Sequence, residues 1–299
     1  MDKSIVRSIL ENILTPQQIF EDEPLKCHTS FKTGGNATFL VMPETAEQIA
    51  ELLKTLKNIR HIVIGNGSNL LFPDDGYDGV VIALGHNFAK ITVDGETITA
   101  QSGALLSKIA NVAAENGLGG FEFAAGIPGS LGGAVCMNAG AYGGEMKDVV
   151  VSSLCVDKNG TLLTVEDHQF SYRHSLFSDT DLIVLSSTMK LYPRDIKDIR
   201  VEMSDLNKRR RDKQPLEFPS AGSTFKRPEG YFAGKLIQDA GLMGYRVGGA
   251  MVSEKHAGFV INYDNATTAD ILALIEHIKK TVYKQFGVEL EPEVKIIKN

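Results

Sequence analysis

Between Gly117 and Gly144 the chain reads GLGGFEFAAGIPGSLGGAVCMNAGAYGG. Ten of the 29 glycines of the chain fall in this stretch, and Glu122 is its one charged residue. Such a density of Gly and Ala cannot hold a helix or strand by itself, because glycine loses the most backbone entropy on ordering. The stretch also lacks the polar bulk of a solvated linker. It reads as backbone that must come very close to something else. Glycine permits positive φ, so consecutive N–H groups can converge on an anion. Pro128 after Ile127 fixes a sharp turn, with a cis bond as one way to make it. Ser130 and Asn138 add polar contacts to an otherwise apolar wall. Two readings are open: Gly/Ala packing between layers, or a wall against a flat or phosphorylated cofactor. The stretch has no lysine and no Gly-Lys-Ser/Thr end, which excludes a P-loop. Its spacing also differs from the dinucleotide fingerprint.

A second loop of the same kind lies upstream. Thr45 and Gln48 have capping-box spacing ahead of Ile49, Leu52, Leu53 and Leu56, which recur at helical intervals. A strand over 62–64 then runs into Gly65-Asn66-Gly67-Ser68-Asn69-Leu70. At the carboxyl end of a strand, such a loop can offer N–H donors to a diphosphate. A helix over 4–14 and strands over 39–42 and 80–84 complete this part. Hairpins are expected at Asp94-Gly95 and Asn159-Gly160, and a strand over 182–191. Composition shifts near residue 195. Beyond it come a helix through Ile199, Met203 and Leu206 with a solvated basic end at Lys208–Arg211, and a Pro-containing loop over 214–230. A helix closed by Gly241, strands near 247–252 and 259–262, a helix over 269–286 and a last strand over 288–297 follow. The expected domains are 1–194, with two α/β lobes at roughly 20–80 and 81–194, and 195–299.

Composition narrows the function classes. The chain has 299 residues and a net charge of −6, a poor basis for non-specific nucleic-acid binding. Cys27, Cys136 and Cys155 are odd in number and lack metal-ligand spacing, so they read as reduced thiols. The seven histidines are scattered, and no metal site is expected. No signal-like apolar core follows the start, and no run approaches a membrane span. A soluble cytoplasmic protein, with no membrane partner, is expected.

Three clusters could carry chemistry. Arg173 after Tyr172 suits a carboxylate through its planar fork, or a plain ion pair. Ser223, among small neighbours, is an exposed hydroxyl without a hydrolase elbow, or an ordinary loop serine. Glu293 would share one strand face with Glu291, the usual lot of solvated carboxylates. Pattern alone promotes none of them to catalysis.

Taken together, these segments closely resemble the UDP-N-acetylenolpyruvoylglucosamine reductase family. The matching stretches are Lys32–Gly35, Gly65–Leu70, Gly126–Gly133, Met137–Gly143, Tyr172-Arg173, Ala221–Lys226, Gly248–Ala250 with Ser253, His256–Phe259 and Glu291–Val294. They span nearly the whole chain in order. The resemblance implies an α+β fold, with a two-lobed FAD-binding domain of the vanillyl-alcohol-oxidase (PCMH) type and a C-terminal α/β substrate domain. It implies non-covalent FAD held by Gly65, Asn66, Gly67, Ser68, Asn69, Leu70, Gly126, Ile127, Pro128, Gly129, Ser130, Gly133 and Ala134, with its ring near Asn138, Ala139, Gly140 and Ala141. NADPH reduces the flavin and leaves, and the enolpyruvyl nucleotide sugar takes its place, as in peptidoglycan precursor synthesis. By the same resemblance Arg173 and Glu293 stabilise the enol species and Ser223 donates the proton. Glu293 beside a carboxylate substrate would have to be protonated or held by a cation. Tyr142, Lys213, Arg227 and His256 would contact the substrate, and the protein would be a monomer. The short span from Arg173 to Ser223 lacks the insertion that carries a substrate-covering tyrosine in some members, which marks a compact subtype.

Two other functions fit parts of the pattern. One is an FAD-dependent alcohol or sugar oxidase of the same superfamily, with Cys136 the nearest residue to a covalent tether. The other is a non-catalytic nucleotide-sugar binding protein, which would have no use for a proton donor.

Overall fold

The computed structural model describes residues 2–298 and divides them into two compact units. The first takes in the N-terminal residues to Glu21, Phe39–Asn66 and Gly79–Arg209. The second takes in Asp22–Thr38, Gly67–Asp78 and everything from Arg210 onward.

Two cores fill the first unit. One joins the helices Lys3–Glu11 and Ala46–Thr55 through Leu10, Ile49, Leu52 and Leu53, together with Phe39, Val80 and Ile82. Thr45 caps the second helix, its hydroxyl accepting from the Gln48 N–H at 3.2 Å. The Gln48 amide oxygen accepts from the Glu44 N–H at 2.8 Å, one residue before the partner a capping box would use. The sheet beside this helix has the strand order Ile19–Pro24, Asn36–Val41, Tyr77–Ala83, His61–Ile64, and its last pair is parallel.

A five-stranded antiparallel sheet separates the two cores. Its order is Leu162–Val165, Val150–Val156, Ile183–Lys190, Thr97–Gln101, Ile91–Asp94. Alternate residues face opposite sides of a strand. Thus Val184 and Cys155 enter one core, and their neighbours Leu185 and Val156 the other. Burial pushes the Cys155 thiol up to about 12. Both expected hairpins form. In the first, Asp94 pairs with Thr97, so the two turn residues are Gly95 and Glu96, one place later than expected. In the second, Val156 pairs with Leu162, and the Asp157 carboxylate accepts from the N–H groups of Asn159 and Thr161.

The Gly-rich stretch contributes the helix Leu131–Cys136 and the small hairpin Gly140–Ala141/Gly144–Glu145 to the first unit. Burial of Leu131, Ala134 and Val135 holds a helix that its composition would not. A Cβ at Gly132 would stand 2.7 Å from the Ser102 Cβ, and one at Gly144 would stand 2.6 Å from the Phe123 ring. Packing therefore accounts for these two glycines. The turn at Pro128 needs no cis bond, since every described peptide bond is trans.

In the second unit the helix Thr268–Phe286 packs Ile271, Leu274, Ile275 and Ile278 into a core with Leu236, Ile237, Ala250 and Val260. A capping box of Thr267 and Asp270 opens this helix, and Gly287 at φ +69° closes it. The Asp74 carboxylate adds bonds to the N–H groups of Thr268 and Ala269 at 2.7 and 2.9 Å. A three-stranded sheet runs Arg246–Val247, Ala250–Val252, Val260–Asn262. The expected last strand shrinks to Lys295–Ile296, parallel to Leu70–Leu71. Glu291 and Glu293 thus precede the strand instead of sharing its face. Pro292 meets Phe225 in an isolated bridge there, because a proline cannot donate to a continuous ladder.

Candidate active site

The two glycine loops meet inside the first unit. The buried Ser130 hydroxyl accepts from the Asn66 N–H at 3.2 Å, and the Asn66 amide donates to the Pro128 carbonyl at 3.0 Å. A Cβ at Gly65 would lie 2.3 Å from the Ser130 oxygen, so only glycine lets the loops close. Gly129 accepts from the Leu106 N–H, and the Ile127 N–H bonds back to Ala124. These contacts build a surface from Gly65, Asn66 and residues 126–130 with few projecting side chains.

Asn138 organises the next segment. It is fully buried with φ +45°. Its amide donates to the Glu145 carboxylate at 3.0 Å and to the Ser171 carbonyl at 2.9 Å, and its oxygen accepts from the Lys147 N–H at 3.0 Å. It thereby ties the Gly140–Glu145 hairpin to the turn that carries Arg173. Tyr142 and Gly143, both with positive φ, form the exposed tip of that hairpin. Ala139 is buried beside it.

Arg173 sits in a tight turn closed by mutual backbone bonds between Ser171 and His174. Its φ is +55°, a left-handed conformation that a non-glycine residue adopts at some cost. The guanidinium donates to the Gly140 carbonyl at 3.2 Å, and its carbon lies 5.4 Å from the Tyr172 ring centroid. The Ser175 and Ser178 hydroxyls donate to the Cys136 carbonyl, anchoring this turn to the end of the Leu131–Cys136 helix. Glu145 is held below the usual carboxylate range, chiefly by its bond to the Lys147 ammonium, then by Asn138 and the charge of Arg173. Neither Glu145 nor Ser171 stood out in the sequence. The buried Asn138, read there as part of a wall, is the one signal that leads to them.

Thr224 is the hub of the second unit's site. It is buried, its N–H donates to the Gly258 carbonyl, and its hydroxyl accepts from the Val260 N–H. Its carbonyl accepts from the Glu293 N–H at 2.8 Å. Ser223 precedes it, exposed, on a turn where Gly222 has φ +75°. The Asn69 amide donates to the Glu293 carbonyl at 3.0 Å, and Lys226 pairs with Glu291 at 2.6 Å. Ser223 and Glu293 are thus neighbours through one buried threonine, whereas Arg173 is carried by the first unit.

Several of the remaining candidate residues have visible structural duties. A Cβ at Gly67 would overlap the His28 carbonyl, and Leu70 pairs with Lys295. Ser68 is half-buried between Gly67 and Asn69. Lys213 is the exposed last residue of the helix Ile196–Lys213. Arg227 donates from Nε to the Tyr231 carbonyl and lies over the Phe232 ring. His256 accepts at Nδ1 from the Gly258 N–H, and burial pushes its pKa down. The Cys136 thiol donates to the Phe177 carbonyl at 3.6 Å. Among the described residues no group of His, Cys, Asp or Glu could hold a metal, and no helix is long and apolar enough to cross a membrane.

The surface fits a diphosphate-bearing cofactor at Gly133. A Cβ there would meet no atom within 4 Å, so that exposed backbone faces open space one turn from Ser130 and Gly65. Packing explains Gly65 and Gly132 but not Gly133. A bare backbone beside two converging loops is the cradle that a phosphate group requires.

Comparison with known proteins identifies two families along the chain. Residues 37–166 match the FAD binding domain, and residues 214–297 match the C-terminal domain of UDP-N-acetylenolpyruvoylglucosamine reductase. A UDP-N-acetylenolpyruvoylglucosamine reductase of Caldanaerobacter subterraneus subsp. tengcongensis is 50% identical over 292 residues, covering 96% of each chain. One from Clostridioides difficile is 52% identical over 292 residues, again with 96% of each chain covered. The crystal structure of the Thermus caldophilus reductase superposes with a TM-score of 0.81 at 34% identity, covering 94% of this chain and 98% of that one. The α+β architecture is accordingly an FAD-binding domain followed by the C-terminal domain of the reductase family. With half its residues shared along almost its entire length, this chain belongs to the UDP-N-acetylenolpyruvoylglucosamine reductase family.

Proposed function

We propose that the protein reduces the enolpyruvyl ether of a UDP-N-acetylglucosamine derivative to the lactyl ether, UDP-N-acetylmuramate, with NADPH as reductant. Residues 1–194 serve the flavin and residues 195–299 the nucleotide sugar, a division supported by the two family matches. The enzyme acts as a cytoplasmic monomer. The observation that best supports the mechanism is the 2.8 Å bond from the Glu293 N–H to the Thr224 carbonyl, which joins the backbone at Glu293 to the residue after Ser223.

FAD, when bound, supplies a hydride to the terminal carbon of the enolpyruvyl group. Gly65, Asn66, Gly67, Ser68, Asn69 and Leu70, with Gly126 to Ser130, Gly133 and Ala134, would hold its diphosphate, and Asn138 to Ala141 would border its ring. Negative charge then develops on the neighbouring carbon and its carboxylate. Arg173 meets that charge with a fixed cation, oriented in advance by the strained turn and the Gly140 carbonyl. Glu293 polarises the same group. The Ser223 hydroxyl gives its proton to the neighbouring carbon and, being exposed, recovers one from solvent. Tyr142, Lys213, Arg227 and His256 bind the nucleotide sugar.

The test separates the two half-reactions under anaerobic conditions. NADPH should bleach the yellow protein, and the enolpyruvyl nucleotide sugar should restore its colour stoichiometrically. Restoration by oxygen with no response to the nucleotide sugar would identify an oxidase. A colourless protein that resists reconstitution with FAD would identify a binding protein.

A further inference from the structure

Glu293 stands where its chain passes from one partner to another. Before it, Pro292 has no N–H to give and meets Phe225 only in an isolated bridge. The Lys226 N–H donates to the Glu291 carbonyl at 2.9 Å, and the Glu293 N–H to the Thr224 carbonyl at 2.8 Å. After it, the Lys295 N–H donates to the Asn69 carbonyl and the Ile297 N–H to the Leu71 carbonyl, both at 2.9 Å. The parallel ladder starts only at Lys295, opposite Leu70. Glu293 itself belongs to no strand.

The Asn69 side chain bridges that gap. Its amide donates to the Glu293 carbonyl at 3.0 Å. Peptide groups are planar, so the two planes flanking a Cα set the direction in which its side chain leaves. The Glu293 N–H lies in the first plane and its C=O in the second. Thr224 anchors one plane and Asn69 the other. Asn69 is in turn tied to Lys295, so its donor stands on fixed backbone. The bond is only partly buried, and water can satisfy such a carbonyl. What the amide adds is direction.

We infer that Asn69 is a positioning residue for Glu293: its amide and the Thr224 carbonyl clamp the peptide planes on either side of Glu293 and so aim the carboxyl group at the enol species. Glu293 touches the substrate, and Asn69 acts through it. The glycine loop offers the flavin diphosphate its main-chain N–H groups, which a change of the Asn69 side chain leaves in place. The amide serves the second half-reaction instead. The inference rests on the proposed function, since it takes the role of Glu293 from there.

The experiment compares wild type with Asn69→Leu, Asn69→Ala, Glu293→Ala and the double variant Asn69→Leu/Glu293→Ala, all loaded with FAD. Anaerobic stopped-flow absorbance follows bleaching by NADPH and the return of colour with the enolpyruvyl nucleotide sugar. Fluorescence titration of each apoprotein gives its Kd for FAD. Leu and Ala remove the donor with different shapes, so the effect of the lost bond is common to both. In each, the return of colour should slow about three- to tenfold more than bleaching does, the range set by one lost hydrogen bond, while the Kd for FAD changes by less than about threefold. With Glu293→Ala there is no carboxyl group to aim, so adding Asn69→Leu should slow the return no further. Equal slowing of both half-reactions, a larger rise in Kd, or the same slowing with and without the Glu293 side chain would overturn the inference. Failure of both Asn69 variants to fold would overturn it too, by making the bond a structural one. Wild-type protein whose colour the nucleotide sugar does not restore, or Glu293→Ala that restores it at the wild-type rate, would instead sink the proposed function on which the inference rests.

Discussion

The Arg194 guanidinium lies 2.9 Å from the carboxylate of Glu122, the one charged side chain in the Gly-rich stretch, and 2.6 Å from that of Glu202. Glu122 is only 5% exposed and also accepts from the Gly120 N–H at 2.7 Å. A buried carboxylate persists only when it is paired and hydrogen-bonded, and here Arg194 and a turn amide do both. The pair fixes where the glycine stretch begins relative to the start of the helix Ile196–Lys213, whose residues up to Arg209 belong to the first unit. Removing Arg194 leaves the buried Glu122 charge stranded, whereas without Glu122 the guanidinium still has Glu202. Arg194→Met should cost about 2–4 kcal/mol of stability, read as a lower midpoint in urea unfolding. Glu122→Gln should cost less, because it leaves no buried anion. Equal losses in the two variants would place the energy in packing rather than charge.

Gly65→Ala tests whether the two loops must close. The added methyl would meet the Ser130 oxygen at 2.3 Å, so Ser130 must move and its bond from Asn66 must break. Flavin affinity should fall by about tenfold or more, equivalent to roughly 1.4 kcal/mol. Fluorescence titration of the apoprotein with FAD measures this. Ser130→Gly in the same chain removes the obstructing oxygen and should recover part of the loss. A second substitution that deepens the defect would show that the hydroxyl matters more than the space.

Acid should loosen the first unit through His168. This side chain is buried, and burial pushes its pKa below the ordinary value. Its Nε2 lies 2.8 Å from the Ser153 hydroxyl, which contacts the Ser187 hydroxyl at 2.7 Å, and its Nδ1 lies 3.0 Å from the Glu166 carbonyl. The unfolded chain binds a proton near pH 6.5, and the folded chain binds it only at lower pH. Stability is therefore complete above about pH 6.5, declines as pH falls below it, and levels off under the folded pKa. His256, also lowered by burial, adds to the same window. Denaturant midpoints between pH 8 and 5 should fall for wild type and fall less for His168→Gln. Parallel curves would assign the acid sensitivity elsewhere.

Ser223→Ala should leave bleaching by NADPH nearly intact and slow the return of colour with the nucleotide sugar by about 10²–10⁴-fold. Proton delivery belongs only to the second step, so equal losses in both steps would remove Ser223 from that role.

Arg173→Lys keeps the charge but gives up the planar fork and its bond to the Gly140 carbonyl. The second half-reaction should slow strongly while flavin content is retained. A variant that performs like wild type would mean that charge alone suffices at this position.

The local pattern determined a great deal of this protein. Spacing of Ile49, Leu52 and Leu53 marked the Ala46–Thr55 helix, and the Asp94-Gly95 and Asn159-Gly160 pairs marked both hairpins, because periodicity and turn chemistry are properties of neighbouring residues. The motifs along the chain also sufficed to identify its family. The last segment departs from its pattern, since Val288 onward has strand composition but forms a continuous ladder only at Lys295 and Ile296, after an isolated bridge at Pro292. Strand pairing depends on what lies alongside, and here that is Leu70 and Leu71, more than two hundred residues away. The duty of each glycine was equally out of reach. Gly65 is required by the Ser130 hydroxyl and Gly67 by the His28 carbonyl, while Gly133 faces open space, and no feature of the sequence separates the three. Nor could it reveal that Thr224 joins Ser223 to Glu293, or that Phe232 carries Arg227. Composition and order along the chain act through neighbours in sequence; a hydrogen bond, a collision or a stacked cation acts through neighbours in space, which only the folded chain brings together.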